Sequence, residues 1–242
     1  MNHLLVHLVA RSGRQPELGE RLGEITREWC NDIGAGRASG TVMLALDEDP
    51  FRMTGDGHPT RAFDASIEIG ADAEQAFTGF EALVDGLAER LGNWIHADLS
   101  AVQTGVSHPL IACEPTPIRY QYCMRRRHEL STAQYLKHYA EVHSGFGRAI
   151  RGIRGYTQVH LDPRSTRCAC ARAGFGLWQW SSVSVLHLAS LEEFLAAAAF
   201  NARTGFAEDE EKFIDRPNSV MWSSREVLRI GPEREQAQGS LT

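Results

Sequence analysis

The chain has 242 residues, 43% of them hydrophobic and 23% charged, with a net charge of −6. That length supports one large domain or two small ones with a sizeable core, and the mild acidity offers no basic footprint for nucleic acid. The opening MNHLLVHLVARSG is too short an apolar run to span a membrane and lacks the features of a secretory leader, so a cytoplasmic protein with no membrane attachment is expected.

In chain order, Leu4 to Ala10 reads as a strand. Pro16 suits the first turn of a helix whose Leu18, Leu22, Ile25 and Trp29 recur at helical spacing, with Gly34 and Gly36 to close it. Runs at 41–46 and 63–69 read as strands on either side of the turn-rich DEDPFRMTGDGHP. Phe77, Phe80, Val84, Leu87 and Leu91 restore helical spacing as far as Gly92, and a strand follows over about 95–106. Three prolines in SHPLIACEPTP (107–117) mark a linker.

The order then repeats. A strand is expected at 118–125, and Ser131 with Gln134 forms a capping-box signature for a helix to about Ser144, with Gly145 as its C-cap. Strands follow at 156–161 and 182–188, a helix begins in LEEFLAAAAF, AEDEEKFIDRP is polar, and 220–230 is the final strand. The polar tail reads as disordered. Two β-α-β-β-α-β units imply an α+β fold of two ferredoxin-like repeats, residues 1–108 and 117–230, ahead of a tail at 231–242. Each unit has helices for one face of its sheet, so the two sheets are expected to pack face to face around a barrel-like interior.

Strand alternation separates the faces. One face of 156–161 carries Tyr156, Gln158 and His160, and one face of 118–125 carries Tyr120, Tyr122 and Met124. Rings mixed with hydrogen-bonding groups suit a ligand cavity. On the helix, Tyr135, Tyr139, Val142 and Phe146 share a stripe, while His138 and His143 fall about 140° apart, which argues against a metal pair. His143, at the expected helix end, is the stronger reactive candidate; His138, Tyr135 and Tyr139 read as packing and rim. A helix C-terminus favours a protonated imidazole, which suits an acid better than a base.

Five scattered cysteines do not form a disulfide framework, and Cys168 and Cys170, in RSTRCACARAG, read as loop residues without the further ligands that zinc needs. The acidic run EDEE (208–211) reads as a solvated face. No P-loop, dinucleotide fingerprint, nucleophile elbow or HExxH motif is present.

The pieces MRRRHELSTAQYLKHYAEVHSGFGRAIRGIRGYTQVHL and EEFLAAAAF…FAEDEEKFIDRPNSVMWSSREV make residues 115–230 resemble the EthD family of the dimeric α+β-barrel class. The family pattern of a helix closing on histidine, then a glycine-tyrosine strand ending in histidine, is met by His143, Tyr156 and His160. The chain departs from it at HSGFG, where a proline is usual, and at the insert RSTRCACARAGFGLWQW. The first half resembles the family only in element order and reads as a diverged copy, which implies a pseudo-dimer of the dimeric α+β-barrel type.

The resemblance implies a cofactor-free cavity without metal, and a lyase or cyclase acting by dehydration, decarboxylation or retro-aldol-type cleavage on an aromatic or polyketide-like small molecule. His143 is the expected acid–base group, with Tyr156 and His160 orienting the substrate or moving a second proton. Tyr120, Tyr122, Tyr139, Gln158, Trp178, Trp180 and Trp222 would shape the pocket. Relatives often associate, so a homodimer is in keeping. The alternatives are a haem-dependent or cofactor-free oxygenase on phenolic substrates, and a non-catalytic accessory protein that binds aromatic ligands.

Overall fold

Alternating side chains on eight strands decide the architecture. A computed structural model describes residues 1–34, 36–49, 63–72, 77–112 and 115–231; the tail expected beyond them lies outside the described residues, as does most of DEDPFRMTGDGHP. The strands are β1 (Asn2–Leu8), β2 (Ala38–Ala45), β3 (Ala65–Ala71), β4 (Ala101–Ile111), β5 (Ile118–Met124), β6 (Gly155–Leu161), β7 (Ser182–Leu188) and β8 (Val220–Ile230). They pair antiparallel into a closed barrel in the order β1-β3-β2-β8-β5-β7-β6-β4, which leaves no open sheet edge. The first four strands run β4-β1-β3-β2 and the last four β8-β5-β7-β6, the same split-βαβ order, joined at β2–β8 and β4–β6.

The helices lie outside the barrel. They are α1 (Gln15–Ile33), α2 (Phe77–Leu83), α3 (Leu87–Leu91), α4 (Thr132–His138), α5 (Ser144–Ala149), α6 (Pro163–Ala173), α7 (Leu191–Ala196), α8 (Ala198–Asn201) and α9 (Phe206–Phe213). Pro16 sits in the first turn of α1, and Leu18, Leu22, Ile25 and Trp29 are buried along its length. They pack with Leu4, Val6, Leu8, Val42, Ile67 and Ile69 from the outer face of β1, β2 and β3. The opposite parity, Leu5, Val9, Ala101, Cys123, Val159, Val183 and Trp222, fills the barrel interior.

Three expectations are corrected here. The linker placed at 107–117 is strand as far as Ile111, because β4 goes on pairing with β6 after its register with β1 ends at Val106. Pro109 is tolerated there: the β1 side needs no donor from it, and the β6 register shifts just beyond it. The helix expected over 77–91 divides into α2 and α3 at Gly86, whose φ is 66°. RSTRCACARAG is helix α6 and not a loop. The Asp162 carboxylate accepts from Ser165 N at 2.6 Å, Pro163 occupies the first turn, and Gly174 ends the helix at φ 73°. Helix α6 packs on β4 and α2, with Cys170 buried and Cys168 exposed. No helix among the described residues is long and apolar enough to cross a membrane.

Candidate functional site

One helical run lays Tyr135, Tyr139 and His143 on the outer face of β6 and β7. It starts at the expected capping box: Ser131 Oγ accepts from Gln134 N, and Gln134 Oε1 accepts from Ser131 N. The run does not stop at Gly145. It widens into a π turn at Tyr139–His143, where Ser144 N donates to Tyr139 O, and continues through α5. His143 is therefore inside the helix, and the preference for a protonated imidazole expected from a C-terminal position does not arise.

The π turn also corrects the angular argument about the histidines. Residues five apart stand on different sides of an α-helix, but a turn closed by i→i+5 bonds sets them on one side. His138 and His143 accordingly meet the same carboxylate, Asp209 of α9. A carboxylate only accepts, so His138 Nε2–H and His143 Nδ1–H donate to it, at 3.0 and 3.1 Å. Lys212 Nζ is 3.5 Å from the same group. This fixes the His143 tautomer and leaves Nε2 without a partner among the described residues.

Asp209 and Glu210 overturn the reading of EDEE as a solvated run, since they are only 1% and 5% exposed. Burial raises the Asp209 pKa, but the hydrogen bonds from His143 and His138 outweigh it, and the carboxyl ends below its usual value. Among the described residues, Glu210 has only the Arg216 guanidinium, at 3.7 Å. There burial wins, and its pKa is pushed up to about 7. Neighbouring carboxyls on one helix thus titrate far apart, the usual mark of separated acid and base roles. Burial lowers the pKa of His143 more than Asp209 raises it, so the ring is neutral at neutral pH.

A second network joins the expected strand face to the helix. Gln158 Nε2 donates to the Tyr139 carbonyl and to Tyr156 Oη, both at 3.0 Å, while its Oε1 accepts from His160 Nε2 at 3.2 Å. Tyr139 Oη lies 2.8 Å from Ser184 Oγ, and Tyr135 Oη lies 2.6 Å from Ser182 Oγ. Burial raises the pKa of Tyr139 and Tyr156, so both hydroxyls keep their protons. Half-buried His160 has its pKa lowered to about 4, first by burial and then by His108, whose ring centroid is 4.3 Å away. Gly147 permits this packing: a Cβ there would lie 2.2 Å from the Tyr156 ring.

The structure thus brings His143, Tyr139, Tyr156, Gln158 and His160 together, with the His143 and His160 rings 5.9 and 5.4 Å from Tyr139. Tyr120 and Tyr122 adjoin them on β5, within electrostatic reach of Glu210. The three tryptophans do not join this group. Trp180 and Trp222 belong to the barrel interior, edge-on to Phe63 and His7, and Trp178 stacks on Trp180 at the barrel mouth. Sequence reasoning missed Asp209, Glu210, Ser182 and Ser184. One signal was present: Asp209 stands four residues before the apolar Phe213, hence on its face. Among the described residues, no three His, Cys, Asp or Glu side chains are grouped to hold a metal ion.

Residues 127–217 match the family profile of the EthD domain, a span that includes every member of the His143 network from His138 to Glu210. No curated protein matches the chain in sequence. Among solved structures, the chain is similar to a candidate monooxygenase from Fusobacterium nucleatum, with 5% identity and a TM-score of 0.57 over 96% of this chain and 94% of that one. A variant of chlorite dismutase from Candidatus Nitrospira defluvii aligns at 11% identity and a TM-score of 0.51, covering 92% of this chain and 90% of that one. A candidate monooxygenase from Lactobacillus acidophilus aligns at 7% and 0.50, covering 95% of each. At such identities the likeness is one of fold: the closed α+β barrel of the dimeric α+β-barrel class.

Proposed function

We propose that this chain, with residues 127–217 as its EthD domain, is an enzyme acting on a hydrophobic aromatic or polyketide-like small molecule by cofactor-independent acid–base chemistry of the lyase or cyclase type. The observation that carries the reading is the buried Asp209–His143 hydrogen bond. It holds Nδ1–H toward the carboxylate and leaves the Nε2 lone pair to take a proton from carbon or hydroxyl. Asp209 stabilises the imidazolium so formed. Glu210, poised near neutrality, is suited to return a proton to a leaving group. The protonated hydroxyls of Tyr139 and Tyr156 are donors for a developing enolate or phenolate oxygen. His160, through Gln158, orients Tyr156. The shared strand order of the two halves supports reading them as repeats of one unit.

The test is turnover of a panel of aromatic β-hydroxy ketones and β-keto acids, with products resolved by mass for loss of water or carbon dioxide. His143→Ala is expected to lower the rate of any substrate found by about 10²–10⁴. Undiminished turnover in that variant would overturn the assignment.

An oxidative reading ranks second, because the same hydrogen bond suits an imidazole that binds a metal centre through Nε2. Haem held by His143 would supply redox chemistry that the side chains lack. An absorption spectrum after adding haemin separates the readings: a Soret band lost in His143→Ala favours oxidation, and indifference to haemin favours acid–base chemistry.

A further inference from the structure

The mouth of the barrel where α6 gives way to β7 carries a second set of groups that the His143 site does not use. A cleft of about 410 Å³ lies there, walled by Arg125, Arg126, Arg167, His128, Trp178 and Trp180. No carboxylate lines it among the described residues, although the chain as a whole has a net charge of −6. Arg125 is 3.7 Å from Asp215, and His128 is 3.5 Å from Glu129. The other two guanidiniums are uncompensated. Arg126 donates only to the carbonyls of Leu130 and Arg127, and Arg167 makes no hydrogen bond or ion pair among the described residues.

Beside these charges stands a stack of indoles. Half-buried Trp178 lies on Trp180 at 4.9 Å and 22°, and buried Trp180 meets Phe63 edge-on at 5.7 Å. That backing fixes the plane of Trp178 at low entropic cost. The cleft is separate from the His143 network. Thr132 lines it, but one turn along the helix the Tyr135 hydroxyl closes onto Ser182 Oγ at 2.6 Å, and Tyr139 closes onto Ser184 beyond.

We propose that this cleft binds a planar organic anion, an aromatic ring system carrying a carboxylate or similar acid group. The ring stacks against Trp178, and the acid group is taken by Arg126 and Arg167. Guanidinium pairs oxyanions through directed, charge-assisted hydrogen bonds, and an aromatic face recognises a flat ring without regard to its substituents. The two recognition modes together select for both features.

Isothermal titration of the full chain with 2-naphthoate and with the isosteric neutral 2-naphthamide tests the assignment. Naphthoate is expected to bind saturably, and naphthamide at least about tenfold more weakly, the loss of one charge-assisted contact. Arg167→Glu, which removes no hydrogen bond or ion pair among the described residues, and Trp178→Ala should each weaken naphthoate by at least about tenfold. His143→Ala should leave it unchanged. Equal binding of acid and amide, full affinity in Arg167→Glu, loss of binding in His143→Ala, or no saturable binding at millimolar naphthoate would each overturn the proposal. Failure of the His143 chemistry leaves this outcome untouched, since the readout is binding at the barrel mouth, apart from the His143 network.

Discussion

The outer faces of the two halves share a strand order and a covering helix, yet one is dry and the other is a lattice of polar groups. Under α1, β2 and β3 present Val42, Ile67 and Ile69 to Leu22, Ile25 and Trp29, with hardly a hydrogen bond to direct them. Under α4 and α5, the equivalent strands present Tyr156, Gln158, His160, Ser182 and Ser184 to Tyr135, Tyr139 and His143. Burial without direction gives a core, which tolerates repacking. Burial of polar groups that find directed partners fixes their geometry, at a cost in desolvation that the dry half does not bear. The π turn belongs to the second kind: it trades regular helix geometry for two histidines on one carboxylate.

The comparison can be broken at several points. The largest effect belongs to the dry half. Trp29→Ala should lower stability by about 3–5 kcal/mol in urea denaturation, with turnover per folded molecule unchanged. A loss of turnover there would mean that the halves are not independent in function. Next comes Glu210. Its pKa rises from about 4.5 to about 7 on folding, so the folded state holds the proton more tightly. The resulting penalty is absent below about pH 4.5, grows as pH rises toward 7, and reaches about 3 kcal/mol above it. Glu210→Gln should therefore match the parent at pH 4 and exceed its stability at pH 8 by roughly that amount. Equal stability at both values would show that Glu210 is solvated when folded. The smallest effect is Tyr139→Phe, which removes the bond to Ser184 and should cost about 1 kcal/mol. A much larger loss would mean that the tyrosine–serine network acts cooperatively and not pair by pair.

Much of this was readable before any coordinates. The strands at 182–188 and 220–230 stand where alternation put them, and the Ser131 capping box forms as its spacing predicts. His143, Tyr156 and His160 lie in one neighbourhood, as the face lists and the family resemblance implied. The misplaced pieces share a cause. RSTRCACARAG has only short side chains to mark its buried face, and its helix is held by packing on β4, a partner remote in sequence. Trp178, Trp180 and Trp222 share an aromatic character with the tyrosines, but the parity of β8 turns Trp222 into the barrel, and Trp178 and Trp180, just before β7, pack with Phe63 at its mouth.

Periodicity, turn residues and caps are local, and they carried the order of elements and the strand faces. Whether a charge is solvated or sealed depends on what the rest of the chain lays over it. Asp209 and Glu210 look alike in EDEE, and only the docking of α9 against the π turn gives one a pair of histidines and leaves the other with a proton near neutrality. Desolvation is a property of the assembled interior, so that distinction belongs to the tertiary structure.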